Sequence, residues 1–114
     1  MRWTIGWATV GLLAMAAAGC GGSGEQDPIA RGRASYLGNC VACHNPNPKL
    51  AGAIGPALAG SSRELLEAKV LRNEYPPGYE PKRPTQVMVP LPHLEPEIDD
   101  LAAYLGSIPE ASIP

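Results

Sequence analysis

The sequence contains no phenylalanine, and both of its tryptophans, Trp3 and Trp7, lie at the extreme N-terminus. The other aromatic residues are four tyrosines, whereas proline and glycine number 13 each. A small domain with so few large apolar side chains buries too little surface to be stable by itself. We therefore expect a covalent cross-link or a bound cofactor to complete its core.

A hydrophobic run long enough to cross a membrane is also missing, because residues 7–20 fall short of the about 20 apolar residues that such a helix needs. Arg2 precedes this uncharged stretch and small residues end it, which is typical of an export signal. The letters AAAGC resemble the bacterial lipobox, in which Cys20 is lipidated and becomes the mature N-terminus. Cleavage near Ala18 as an ordinary signal peptide, which would leave Cys20 free, is the alternative.

The chain is therefore predicted to have three parts. Residues 1–19 are a signal peptide of the lipoprotein type, residues 20–26 (CGGSGEQ) are a flexible linker, and residues 27–114 form one domain. From Cys20 onward the chain has eight basic and eleven acidic residues. The resulting net charge of −3 does not favour binding to nucleic acid. From Val87 onward there are five acidic residues and no basic one.

Three helices are predicted in the domain, and no segment has the pattern of a strand. The first covers residues 27–39 and begins with Asp-Pro, a favoured N-cap and first-turn pair. The second starts at Ser61, which has capping-box spacing with Glu64, and the third covers residues 95–106 with a single apolar face. Two loops rich in proline and glycine join them, and the second, residues 74–92, holds six prolines.

The stretch NCVACHN places Cys40, Cys43 and His44 in a C-x-x-C-H pattern. A zinc site would lack a second pair of ligands, since His93 is the only other histidine. A redox dithiol would need a thioredoxin-like alternation of strand and helix, and a structural disulfide would leave His44 and the sparse core unexplained.

Covalent haem explains both the cysteine pair and the missing core. Two thiols three residues apart suit the two vinyl groups of haem, and the next residue then lies directly beneath the iron. His44 supplies an imidazole nitrogen as the proximal ligand. The pattern therefore favours one covalently attached haem c, bound outside the cytoplasm.

Three segments together resemble class I monohaem c-type cytochromes, and the similarity covers nearly all of residues 27–108. They are GRASYLGNCVACH, GPALAG at residues 55–60, and VMVPLPHLEPEIDDLAAYL. The resemblance implies an all-α cytochrome c fold, in which three main helices and long loops wrap around one covalently bound haem.

The same resemblance assigns the residues around the iron. Met88, the only methionine left once the signal is removed, lies where the family carries its axial methionine, so His44 and Met88 are the expected axial ligands. His93 is the alternative sixth ligand. The carbonyl of Pro56 is expected to accept the second ring N–H of His44, and Leu58 to pack on the haem.

Further residues are expected to have structural roles. Gly32 and Tyr36 should meet Tyr104 where the first and last helices cross. Because the mature chain has no tryptophan, the sequence does not decide which residues bind the haem propionates. The candidates are Tyr75, Tyr79, Arg63 and Arg83.

With both axial positions filled by protein, the expected function is electron transfer rather than catalysis. The expected partners are redox proteins of the bacterial cell envelope, such as membrane oxidases, reductases or dehydrogenases. The lipid on Cys20 would anchor the protein to a membrane on its extracytoplasmic or periplasmic side. Two alternatives remain: a haem subunit of a larger oxidoreductase complex, or a ligand-binding haem sensor or peroxidase if Met88 does not bind the iron.

Overall fold

The computed structural model describes residues 27–110. The predicted signal peptide, the lipid attachment at Cys20 and the linker lie outside the described residues. Within the described range the chain is helical and has no strand, as predicted, and none of its helices is long and apolar enough to cross a membrane. The elements are α1 (Pro28–Asn39), α2 (Arg63–Arg72), a 3-10 helix (Pro92–Glu97) and α3 (Ile98–Gly106).

Helix α1 begins and ends where the sequence predicts. The side chain of Asp27 accepts a hydrogen bond from the backbone N–H of Ile29 at 3.4 Å, and Pro28 occupies the first turn, where no amide donor is needed. The helix ends at Cys40, whose N–H donates to the carbonyl of Tyr36. The first cysteine therefore sits at the C-terminal end of α1.

The predicted start of α2 is wrong by one residue. The helix is capped by Ser62, whose Oγ accepts a hydrogen bond from the N–H of Leu65 at 3.2 Å. Ser61 is buried instead, and its hydroxyl donates to the carbonyl of Leu58 at 2.6 Å. The capping-box spacing from Ser61 to Glu64 is therefore not used, because Ser61 binds the preceding loop.

The predicted start of the last helix is also wrong. Residues Pro92–Glu97 form a 3-10 helix, and the α-helical hydrogen bonds begin at Ile98. Pro96 has no amide hydrogen to donate, which disfavours continuous α-helix through this point. The second loop accordingly ends at Leu91, whose N–H donates to the carbonyl of Val70 at 2.6 Å.

Helix α1 packs across α3 at the centre of the fold, while α2 packs against α3 and the 3-10 helix. A Cβ atom at Gly32 would lie 1.9 Å from the backbone oxygen of Asp100 and 2.7 Å from Cβ of Tyr104, so only glycine allows this approach. The rings of Tyr36 and Tyr104 meet with centroids 5.7 Å apart. The predicted contact between the first and last helices is confirmed.

Polar contacts also tie α1 to its surroundings. The guanidinium of Arg31 donates to the carboxylate of Asp100 at 2.8 and 2.9 Å, and this contact lowers the pKa of Asp100. The hydroxyl of the fully buried Tyr36 donates to the carbonyl of Asn45 at 2.5 Å. The helix crossing thus also holds the segment that follows the cysteine cluster.

Candidate functional site

The cysteine cluster forms a tight turn directly after α1. The carbonyl of Cys40 accepts hydrogen bonds from the N–H groups of Cys43 and His44, at 3.2 and 2.9 Å. No disulfide joins Cys40 and Cys43. Burial, with a smaller effect from the Glu97 carboxylate, raises the pKa of the unattached Cys40 thiol to about 11.

The turn borders a cavity of about 280 Å³ that lies between α1, α2, α3 and both loops. Interiors of small domains seldom leave spaces larger than a water molecule, so this cavity is a binding site rather than a packing defect. Cys40, Cys43 and His44 all line it. The predicted pocket residue Leu58 lines it too, together with apolar side chains of the helices. These are Leu65, Leu66, Val70, Leu101 and Leu105.

The ring of His44 is held in one orientation. Its Nδ1 lies 2.8 Å from the carbonyl oxygen of Pro56, the contact expected from the sequence. Because a carbonyl oxygen only accepts, Nδ1 carries the proton and Nε2 keeps its free lone pair. Burial lowers the pKa of His44, the nearby cation of Arg83 lowers it further, and the bond to Pro56 opposes them. A neutral imidazole with a free Nε2 is the form that binds metals.

The loop between α2 and the 3-10 helix brings Met88 to the same cavity, where its side chain is half-buried. His93 is exposed on the 3-10 helix and is not among the residues that line the cavity. One cavity therefore joins the two thiols, the imidazole and the thioether. Among residues 27–110, no group of three or more His, Cys, Asp or Glu side chains has the arrangement of a metal-ion site.

The comparison with protein families agrees with this arrangement. The family model described as cytochrome c matches residues 29–109. This chain belongs to the cytochrome c family. A search of curated proteins finds no match. The predicted family and the predicted all-α cytochrome c fold are both confirmed.

As a member of the cytochrome c family, the chain is a haem-binding electron carrier with one covalently attached haem c. The residues present fit this group. The two thiols lie within one turn at the edge of an apolar cavity, as covalent attachment through vinyl groups requires. The thioether and the neutral imidazole are both ligands that haem iron accepts.

The polar residues of the cavity narrow the candidates for the propionates. Tyr75, Tyr79 and Arg83 line the cavity, and the two tyrosine rings stack with centroids 5.5 Å apart. Arg63 does not line it and instead donates to the carboxylate of Asp99 at 2.6 Å. Three of the four candidates thus stand where acidic groups of the cofactor could meet them.

Several residues of this cytochrome that shape the site were missed in the sequence. Lys69 and Lys82 line the cavity, and the ammonium of Lys69 lies 4.3 Å from the centre of the Tyr75 ring. A Cβ at Gly55 would lie 2.3 Å from Cε1 of His44, and one at Gly52 would lie 2.3 Å from the carbonyl oxygen of Cys43. The only signal in the sequence was the high density of glycine after the cysteine cluster. That density does not show which glycine lies against His44 or Cys43.

Proposed function

We propose that this cytochrome carries one electron on a haem c bound through Cys40 and Cys43, with His44 and Met88 as the axial ligands. The observation that carries the proposal is the shared cavity, which the thiols, the oriented imidazole and Met88 all line. The haem iron supplies the one-electron chemistry, and the protein tunes it.

Each axial residue has a distinct task in this proposal. The hydrogen bond from Nδ1 of His44 to Pro56 fixes the ring and makes Nε2 a stronger donor. Met88 offers a neutral thioether, which favours reduced iron and raises the potential relative to a second histidine. Leu58 contributes an apolar surface of the cavity and keeps water from the iron.

Two protein ligands leave no coordination position for a substrate, so the proposed activity is outer-sphere electron transfer rather than catalysis. Exposed apolar side chains lie beside the cavity, where a redox partner could approach. Ile54, Val87 and Val89 are 48 %, 64 % and 69 % exposed, and all three line the cavity. Close approach to this edge would shorten the path of the electron.

The proposed partners are membrane oxidases, reductases or dehydrogenases of the bacterial envelope. The support comes from the sequence, in which an export signal and the lipobox-like AAAGC precede the flexible residues 21–26. A lipid on Cys20 would hold the domain at the extracytoplasmic or periplasmic face of a membrane and let it rotate toward its partners.

The test is spectroscopy of the full-length protein, produced in a host that matures c-type haem, with Met88→Ala and Gln86→Ala compared. Gln86 is exposed on the same loop and does not line the cavity, which makes it a matched control. We expect low-spin haem with the weak far-red band of methionine bound to ferric iron in the parent and in Gln86→Ala. The band should vanish in Met88→Ala, which should also bind carbon monoxide.

Two results would contradict the proposal. Full binding of carbon monoxide by the parent would favour a ligand-binding haem sensor or peroxidase. An unchanged spectrum in Met88→Ala would move the sixth ligand to another residue, and His93→Ala would then be examined first. Co-purification of the native protein with a stoichiometric partner would place it as a subunit of a larger oxidoreductase.

A further inference from the structure

The segment that orients His44 also accepts hydrogen bonds from the loop that carries Met88. We name residues 54–57 the His44 strap, because the carbonyl of Pro56 in it binds Nδ1 of His44. Two other carbonyls of this strap accept hydrogen bonds from side chains of the loop that contains Met88. Nη1 of Arg83 donates to the carbonyl of Ile54 at 2.5 Å, and Nζ of Lys82 donates to the carbonyl of Ala57 at 3.1 Å.

We name residues 80–90, which contain Met88 and no helix or strand, the Met88 loop. In the part of the chain that the structure describes, no backbone hydrogen bond joins residues 80–90 to any other backbone group. The flanking backbone bonds are those from Tyr79 to Pro76 and from Leu91 to Val70. Backbone hydrogen bonding therefore does not fix the place of Met88.

Apolar packing of the loop against the protein depends on Met88 itself, which packs against the hydrophobic core. The neighbours of Met88 on both sides, Val87 and Val89, are 64 % and 69 % exposed. Lys82 has one further polar contact, with the carboxylate of Glu110 at 4.0 Å, a distance at which an exposed ion pair contributes little. The two side-chain bonds to the His44 strap are thus the main polar links between the loop and the rest of the site.

We infer that Lys82 and Arg83 are positioning residues that hold the Met88 loop over the cavity by binding it to the strap that orients His44. This inference rests on the proposed axial role of Met88. Met88 is the fifth residue after Arg83, so a link at Arg83 keeps Met88 within about 18 Å of it along the chain. The links therefore keep the thioether in place and keep other ligands out.

A simple charge effect is the competing account of the same residues. Arg83 stands close enough to His44 for its cation to lower the pKa of the ring. Removing that cation would change the reduction potential even if the loop stayed closed. The test must therefore measure opening of the loop and not only the potential.

The experiment titrates imidazole into the ferric, haem-loaded, full-length protein and follows the loss of the far-red band. An added ligand binds only the open loop, so its apparent affinity rises in proportion to the open fraction. Because both charged donors are partly exposed to solvent, the loss of each hydrogen bond should raise the open fraction only about threefold. We expect imidazole to bind about threefold more tightly to Lys82→Ala or Arg83→Ala, and about tenfold more tightly to the double variant.

Lys49→Ala and Arg33→Ala are the matched controls. Both remove one exposed cation, and within residues 27–110 neither side chain has a hydrogen bond or ion pair. We expect these variants to bind imidazole within about twofold of the parent, since only their charge changes. Arg83→Lys keeps the charge and a donor, and we expect it to lie between the parent and Arg83→Ala.

The outcomes separate this inference from the proposed function. A parent without the far-red band overturns both, since Met88 would then not be a ligand. A parent with the band, and an imidazole affinity in the double variant no different from that of the controls, overturns the inference alone. A shifted potential with unchanged imidazole affinity also overturns it, in favour of the charge effect. If the double variant does not fold, the two single variants decide by the same criterion.

Discussion

At His44, the orientation of the imidazole depends on two residues of the following loop. The carbonyl of Pro56 binds Nδ1, and the missing side chain at Gly55 leaves room for the ring. A Cβ at Gly55 would lie 2.3, 2.5 and 2.7 Å from Cε1, Nδ1 and Nε2. Non-bonded carbon atoms prefer separations of about 3.5–4.0 Å, so any side chain there must displace the ring or the loop.

Gly55→Ala should therefore destabilise the haem-loaded protein by about 1–3 kcal/mol, the usual cost of overpacking, and should weaken the far-red band as His44 is displaced. Urea unfolding and optical spectra measure the two effects. Gly106→Ala is the control, because a Cβ at Gly106 meets no atom within 4 Å. Equal unfolding midpoints for the two variants would contradict this prediction, because the loop at Gly55 would then accommodate the methyl group with no loss in the free energy of unfolding.

Among the helices, the crossing of α1 and α3 depends on close contact between their backbones. Gly32 faces the backbone oxygen of Asp100, and on the same face of α1 Tyr36 packs against Tyr104. The ion pair between Arg31 and Asp100 lies beside the crossing. Backbone contact, aromatic packing and an ion pair thus meet at one place.

Gly32→Ala should destabilise the protein by about 3 kcal/mol or more, because the new Cβ would collide with backbone that cannot rotate away. Gly38→Ala is a matched control on the same helix, since its Cβ would meet nothing within 4 Å. In that variant the better helix propensity of alanine should stabilise the protein by up to about 1 kcal/mol. Chemical denaturation of both proteins tests this contrast, and similar losses in the two would refute it.

Over the whole molecule, charge is unevenly distributed. Lys69, Lys82 and Arg83 line the cavity, while none of the acidic residues within 27–110 lines it. The chain after Arg83 is acidic only, and it includes the 3-10 helix and α3. Such a distribution favours one orientation when a protein approaches a charged partner. A molecule held at a membrane would need enough freedom to adopt that orientation.

The predicted anchor can be tested directly. Cys20→Ser should move the protein from the membrane fraction to the soluble fraction of the envelope, because the lipid would have no thiol to join. Ser23→Ala, in the same linker, should leave the protein on the membrane. Haem staining of the fractions measures the distribution, and mass spectrometry of the N-terminal peptide checks for lipid. Equal distribution of the two variants would favour the ordinary signal peptide.

The sequence alone was sufficient wherever neighbouring residues carry the chemistry. The C-x-x-C-H cluster contains both thiols and the imidazole within five residues, and the Asp-Pro start of α1 is a local capping signal. The apolar face of α3 follows from its period, although Pro96 delays the α-helix to Ile98. These features depend on contacts within one or two turns of chain, which spacing in the sequence reports directly.

Only the tertiary structure decided what the two loops do. Ser61 could not be separated from Ser62 as the cap, since the choice depends on the carbonyl of Leu58. The bonds from Lys82 and Arg83 cross 25 and 29 residues, and no periodic pattern marks them. Loops without regular hydrogen bonding take their path from the surfaces they cover, so their contacts exist only once the helices have packed.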